Sequence, residues 1–313
     1  MLPAYFAIRA FNIELARIPD VVSMPQIGAM RMQFWRDTIN KSFELTPPQE
    51  PVAILLASYL KQGHKLNKTW FQRIITARDR KLTHPGFTNL TELESYAEST
   101  YSTLLYLSLS ALPLNSLTMD HLASHVGKAA GITAVLRGVP LLAFPSPPNQ
   151  HSNNPVGLGM PTTREKQGAI TLPLDVMSQY GVREEDIFRN GGDAAGLRDA
   201  IFAVATRASD HLITARTMLK NVRQNQDPGH EFEHLNDEGH EPGRYGTEAS
   251  MSADKRKAEI DEGFGIVMGP AVSTQLWLNR LQKVDFDIFN GTLRQVEWKL
   301  PFLAWLRSKR GEL

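Results

Sequence analysis

Apolar residues recur at helical spacing along most of the chain, and almost without a break over the first 140 residues; this periodicity is the strongest constraint on the fold. Between Tyr5 and Ile18 they occupy more than one side of the helix, which predicts a first helix buried nearly all round. No segment shows the period-two alternation, bounded by turn residues, that marks a half-buried strand. The pattern predicts an all-α fold with about ten helices. The predicted helices are 5–18, 25–35, 52–61, 66–82, 90–112, 118–142, 174–180, 184–189, 196–223, 266–283 and 296–309.

Several helix ends are predicted from proline residues and from a capping pattern. Pro19 is expected to end the first helix, Pro113 the helix 90–112, and Pro140 to disturb the end of 118–142. Thr91 and Glu94 match a capping box, in which two side chains satisfy free backbone N–H groups at a helix start.

Two polar segments interrupt the helical pattern. Residues 144–168 are rich in Pro, Asn, Ser and Gly, and residues 224–263 are rich in charged residues and almost free of aliphatic ones. Such compositions cannot bury enough apolar surface to offset the entropy of ordering, so we expect both inserts to be disordered. No internal repeat or second core is evident. We therefore predict one domain over residues 1–313.

Charge and cysteine content exclude several classes of protein. The chain of 313 residues has 34 basic and 33 acidic residues, which argues against a protein built to bind nucleic-acid phosphates. It has no cysteine, so disulfides, thiolate metal sites and cysteine nucleophiles are excluded. No apolar run approaches the ~20 residues of a transmembrane helix. Neither a secretory signal nor a transit peptide is evident at Met1.

Two groups of histidines have the spacing of metal ligands. His230, Glu231 and His234 match the H-E-x-x-H pattern of zinc proteases, with His240 at the position of a third ligand. Asp227-Pro228-Gly229 before the motif and Gly239 after it disfavour the rigid helix that zinc needs. We therefore interpret this segment as a solvated insert. His121 and His125, near Asp120, lie one turn apart without an evident third ligand, so partly exposed helical histidines are the simpler interpretation.

Small residues form a stripe along the predicted helix 118–142. Gly127, Ala130, Gly131, Ala134 and Gly138 share one side of it, flanked by Lys128 and Arg137. The stripe has two interpretations, which are close packing against another helix and the wall of a cavity between helices. In the first helix, Arg9, Asn12 and Ala16 share a face, and Glu14 points nearly the opposite way.

Several segments together resemble the squalene/phytoene synthase family. The segment from Met30 to Asp37 lies where that family often has an Arg…Trp-Trp-Arg-Asp pattern, and Tyr96 lies on the counterpart of its Tyr-Cys helix. The resemblance implies an isoprenoid-synthase-like helical bundle. The similar segments are 5–17, 30–37, 93–98, 126–137, 172–175 and 283–289.

The family's chemistry depends on two aspartate-rich motifs that hold Mg²⁺ ions against a diphosphate. By the resemblance, the outer aspartates of the first motif fall on Asn12 and Ala16, and the second motif falls on Gly138, Leu141 and Leu142. Mg²⁺ is bound by oxygen ligands, above all carboxylates. The resemblance therefore implies a pseudoenzyme without catalytic residues, metal or cofactor. Side chains expected to line a cavity or bind an anion are Arg9, Asn12, Tyr96, Lys128, Ala134 and Arg137.

Residues 10–16 and 30–37 are most similar to a mitochondrial branch of the family that takes part in assembly of respiratory complex I. This implies a non-catalytic role on the matrix side of the inner membrane, with complex I subunits or other assembly factors as partners. We also expect peripheral membrane contact without a transmembrane span, and an isoprenoid or anionic lipid as a cavity ligand. The alternatives are a prenyl diphosphate-binding protein or residual prenyltransferase, and a zinc protease. By the resemblance, the chain begins inside the family's first core helix, and we expect an upstream segment to help cover the cavity mouth.

Overall fold

The structure is a computed structural model that describes residues 2–22, 24–112, 114, 116–145, 168–224, 226, 229, 232–233 and 253–313. Within these residues it contains helices and loops but no β-strand, which confirms the predicted all-α fold. A π-helix, Glu98–Ser102, joins α5 to α6, and 3-10 helices lie at Gly191–Asp193 and Gly291–Arg294. The α-helices are α1 (Leu2–Val21), α2 (Pro25–Phe43), α3 (Pro51–Lys61), α4 (Lys68–Thr83), α5 (Leu90–Ala97), α6 (Thr103–Ser110), α7 (Leu117–Ala143), α8 (Leu174–Gln179), α9 (Glu184–Asn190), α10 (Leu197–Arg223), α11 (Ala253–Lys283) and α12 (Leu300–Arg310).

Helix α7 is the centre of the molecule. The Ser116 side chain caps its start by accepting a hydrogen bond from the backbone N–H of Met119. The helix packs against α5, the π-helix, α6, α10 and α11. By length and composition alone, this helix could cross a membrane, so the expectation that no apolar run approaches that length is wrong. Most residues of its apolar stretch are buried among the other helices, as in the core helix of a globular bundle.

The small-residue stripe of α7 includes two positions of very close helix packing. A Cβ atom on Gly127 would lie 2.3 Å from the Cα of Ser102, and one on Gly131 would lie 2.5 Å from the Cβ of Ala97. Both neighbours belong to the α5–π-helix segment, so only a residue without a side chain fits at either position. Gly138 differs, since its nearest neighbour would be Leu142 at 3.8 Å.

Two helix ends differ from the predictions based on proline. Pro19 lies inside α1, which continues to Val21, and Pro140 lies inside α7, which continues to Ala143. Each proline falls in the last turn of its helix, where it removes one hydrogen bond but leaves few further turns to disrupt. The backbone N–H of Phe144 still reaches the Pro140 carbonyl oxygen.

Helix α11 begins 13 residues before the predicted start at residue 266. Residues 253–263, assigned from composition to a disordered insert, are therefore helical. Ile260 and Phe264 lie one turn apart and are both buried, which anchors this charged segment to the core. Most of the rest of 224–263, and of 144–168, lies outside the described residues.

Two other elements also differ in detail. The predicted helix 90–112 is divided by the π-helix, and the predicted helix 296–309 is α12, which begins at Leu300 with Pro301 in its first turn. The buried apolar side chains form one contiguous cluster. The organisation of residues 1–313 as one domain stays a prediction.

Candidate functional site

The α1 positions that the resemblance assigns to the first metal motif lie beside a buried arginine. Arg78, on α4, is only 8% exposed and donates hydrogen bonds to the backbone oxygen of Asn12 (3.0 Å) and to its side-chain oxygen. Arg9 and Ala16 are exposed. A guanidinium is permanently charged. The one side-chain oxygen that Asn12 offers is therefore already bound to a cation.

Tyr96 lies near the same arginine. Burial raises the pKa of Tyr96, while the positive charge of Arg78 acts in the opposite direction. The Tyr96 ring packs against Phe87, with 5.5 Å between ring centroids. The structure thus brings together two of the predicted site residues, Asn12 and Tyr96, around Arg78, which sequence reasoning did not identify.

The α7 positions assigned to the second motif present no carboxylate. Gly138 is half-buried, and Leu141 and Leu142 are exposed. Of the side chains at the two motif positions, only Asn12 offers an oxygen, which is already bonded to Arg78, and Mg²⁺ requires several oxygen ligands. The residues at the two motif positions therefore do not fit a magnesium site.

Arg137 and Ala134 line a cavity of about 780 Å³ between α7, α11 and the 291–297 segment. We call it the arginine cavity, because Arg137, Arg280 and Arg294 all line it. Its apolar lining includes Leu276, Trp277, Ile288 and Leu293. Arg280 also pairs with Glu297 at 3.7 Å and donates to the Gln295 carbonyl oxygen. Neither Arg9 nor Asn12 is among its lining residues, so the predicted site residues do not converge on one cavity.

Lys128 lines a different cavity, of about 650 Å³, between α5, α7 and α10. This lysine is buried, and its ammonium lies 3.6 Å from the carboxylate of Glu233. In the wall of the cavity, Glu94 accepts hydrogen bonds from Arg207 and from His211, both at 2.7 Å. His211 in turn contacts His125 through their Nδ1 atoms, 3.0 Å apart.

This histidine–carboxylate cluster changes the chemistry of Glu94. Burial would raise the pKa of Glu94, but hydrogen bonds from His211 and Arg207, together with their charges, lower it to about 2. Glu94 is therefore a carboxylate at neutral pH and holds α5 to α10. The predicted capping box is wrong, since Asn89 caps α5 and Glu94 faces this cluster.

The structure describes one of the two histidine groups that have metal-ligand spacing, and not the other. All four residues of the zinc pattern lie outside the described residues, namely His230, Glu231, His234 and His240. His121 is buried rather than partly exposed, and its ring lies 5.2 Å from that of His125. Within the described ranges, no group of three or more His, Asp or Glu side chains is arranged to hold a metal ion.

The helical architecture defines an all-α protein of the isoprenoid-synthase-like class, as its likeness to two solved structures shows. The structure is similar to a dehydrosqualene synthase (TM-score 0.66, 14% identity, 98% of this chain and 86% of that one). It is also similar to squalene synthase HpnC from Alicyclobacillus acidocaldarius (TM-score 0.57, 14% identity, 90% and 83% of the two chains). At these identities the likeness shows the fold alone.

Sequence comparison gives the family. Residues 1–230 match the squalene/phytoene synthase model, and the chain belongs to that family. It is 34% identical over 305 residues to the human protein named NADH dehydrogenase (ubiquinone) complex I, assembly factor 6, covering 97% of this chain and 73% of the human one. It is 38% identical over 225 residues to the Drosophila melanogaster homolog of that factor, covering 70% of this chain and 60% of the fly protein.

Proposed function

We propose that this protein is a non-catalytic member of its family that acts in the assembly of mitochondrial respiratory complex I, on the matrix side of the inner membrane. The proposal is supported by relatives named as complex I assembly factors, which match along 97% of the chain. The synthases of similar fold share only 14% of its residues.

The contact between Arg78 and Asn12 is the structural observation that carries the non-catalytic part of the proposal. Ionising an allylic diphosphate requires divalent ions to neutralise the leaving group, and such ions need converging carboxylates. At Asn12, a buried guanidinium occupies the neighbourhood where a cation would bind and repels a second positive charge. Restoring metal affinity there requires more than one substitution.

A pseudoenzyme of this kind acts through its surfaces. The helical bundle supplies a rigid scaffold, and complex I subunits or other assembly factors are the partners that the relatives' names suggest. Binding to such partners needs no carboxylate clamp. It therefore tolerates asparagine, alanine, glycine and leucine at the two motif positions.

The assembly role is tested by deleting the gene in the cells that carry it and resolving respiratory complexes on native gels. We expect assembled complex I to fall and other complexes to persist, with recovery on re-expression. Unchanged complex I levels in the deletion strain would overturn the assembly role.

Catalysis is tested separately on the purified chain. With farnesyl or geranylgeranyl diphosphate and Mg²⁺, we expect no release of inorganic diphosphate. Measurable turnover that requires Mg²⁺ would overturn the non-catalytic assignment even if the deletion phenotype is as expected.

The arginine cavity supports a second candidate, a protein that binds a prenyl diphosphate without converting it. Three arginines and an apolar floor suit a ligand with an anionic head and a hydrocarbon tail. We expect farnesyl diphosphate to bind by calorimetry and Arg137→Ala to weaken binding at least tenfold. Arg17→Ala, on the exposed side of α1, is the matched control. No binding by the wild-type chain would remove this candidate.

A further inference from the structure

The C-terminal helix presents aromatic side chains to solvent. Trp298, in the turn that leads into α12, is 78% exposed, and Phe302 and Trp305 are 63% and 57% exposed. Phe302 and Trp305 are three residues apart on the helix, and their ring centroids are 6.2 Å apart. We call these three residues the aromatic face. Single exposed apolar side chains are ordinary on protein surfaces, whereas a group of them beside charged residues marks an interaction site.

The opposite side of α12 explains how the helix is held. Leu300, Leu303 and Ala304 are partly buried against the core, and the helix packs against α11. No residue of α12 is fully buried. The core therefore uses one side of the helix, and no described residue of another helix covers the aromatic face.

The same segment is strongly basic. Residues 294–313 contain five basic and two acidic residues, a net charge of +3, in a chain whose total is +1. The ammonium of Lys299 lies 5.4 Å from the centroid of the Trp298 ring, and the last turn of α12 is basic. The charged residues are Arg294, Glu297, Lys299, Arg307, Lys309, Arg310 and Glu312.

We infer that the aromatic face docks the protein on a membrane surface that contains anionic phospholipids. Tryptophan and phenylalanine partition into the boundary between headgroups and acyl chains. Lysine and arginine beside them are attracted to the negative surface potential of such a membrane. Lysine is depleted at protein–protein interfaces. The lysines at 299 and 309 therefore favour a lipid surface over a protein partner. This inference does not depend on the proposed role in complex I assembly.

The tryptophans of the chain provide a direct readout. Of its five tryptophans, Trp35, Trp70 and Trp277 are buried, and Trp298 and Trp305 are exposed. Emission at long wavelength therefore comes from the proposed contact surface. With vesicles of phosphatidylcholine and phosphatidylglycerol, we expect a blue shift and protection from an aqueous quencher. Vesicles of phosphatidylcholine alone should give a much smaller effect, and added salt should reverse binding.

Co-sedimentation of variants with the same vesicles locates the surface. Lys309→Gln with Arg310→Gln should weaken binding about thirtyfold, from about 1 kcal/mol for each basic residue near an anionic surface. Trp298→Ser with Trp305→Ser should abolish it. Met30→Ser, at a 72% exposed apolar position on α2, is the matched control and should bind as the wild type does.

Two results would overturn the inference. The first is no binding of the wild-type chain to the anionic vesicles. The second is equal binding of the Trp298→Ser/Trp305→Ser variant, with circular dichroism confirming that each chain is folded. If that double variant instead abolishes self-association and leaves vesicle binding unchanged, the aromatic face is an interface between copies of the chain, and the membrane inference is wrong.

Discussion

Replacing Gly127 by alanine tests whether the small-residue stripe of α7 is a packing surface. The new Cβ atom would lie 2.3 Å from the Cα of Ser102, whereas apolar atoms in contact are separated by about 4 Å. The obstacle is backbone, so no side-chain rotation relieves it. The π-helix and α7 must separate by more than about 1 Å, which weakens the dispersion contacts on both sides.

The expected free-energy change follows from two opposing effects. Overpacking a core costs about 1–3 kcal/mol, and a backbone clash places this site near the upper end. Alanine is more favourable than glycine inside a helix by about 1 kcal/mol, which offsets part of this cost. The free energy of unfolding should therefore fall by about 2 kcal/mol in Gly127→Ala.

Gly138→Ala, on the same helix, is the matched control. Its new Cβ would have Leu142 as its nearest neighbour, at 3.8 Å, so the propensity gain of about 0.5–1 kcal/mol should dominate. The two variants should differ by about 3 kcal/mol in urea unfolding followed by far-ultraviolet circular dichroism, with similar m-values. If Gly127→Ala were as stable as Gly138→Ala, the close packing at Ser102 would be refuted and the stripe would line an open cavity there.

Three further predictions concern buried polar contacts. Tyr106→Phe removes the hydroxyl that donates a hydrogen bond to the buried carboxylate of Glu98 at 2.5 Å. The free energy of unfolding, measured by urea denaturation, should fall by about 1–3 kcal/mol. An unchanged urea midpoint would contradict this contact. The pKa of Glu94 is lowered to about 2 from an ordinary 4.5, so its contribution to stability is present above pH 4.5 and is lost as pH falls towards 2. In Glu94→Gln, the free energy of unfolding should therefore fall less steeply between pH 4.5 and 2 than in the wild type. An identical slope in the two proteins would argue against the cluster. Arg78→Met removes two hydrogen bonds to Asn12 and should lower the midpoint of thermal unfolding. Calorimetry should detect no Mg²⁺ binding by this variant. Stoichiometric Mg²⁺ uptake would contradict the conclusion that more than one substitution is needed at this site.

The long helices were predictable from sequence because their apolar spacing is unbroken. Helix α7 differs from its prediction by one residue at each end, and a serine cap and apolar residues on nearly every side explain its position. The start of α11 was not predictable in the same way. Its first turns are mostly charged, and only the tertiary contacts of Ile260 and Phe264 select the helix.

For the site residues too, local sequence patterns were visible, whereas contacts between residues far apart in the chain were not. The small residues at 127 and 131 stood out in sequence, but only the structure distinguishes their close packing from the open position at Gly138. Glu94 was assigned to a helix cap because a local pattern fits it, whereas its partner His211 is 117 residues away. No local signal marks Arg78 as the partner of Asn12, since their pairing depends on how α1 meets α4.

The pairing of Arg78 with Asn12 also constrains how this sequence can change. An aspartate at position 12 would form an ion pair with the guanidinium 66 residues away and would not be available to a metal ion. Removing Arg78 first would leave the Asn12 oxygens without these donors and would weaken the packing of α1 on α4. Neither single step creates a free carboxylate for a metal ion, so carboxylate metal chemistry at this position would require coupled changes at residues 12 and 78.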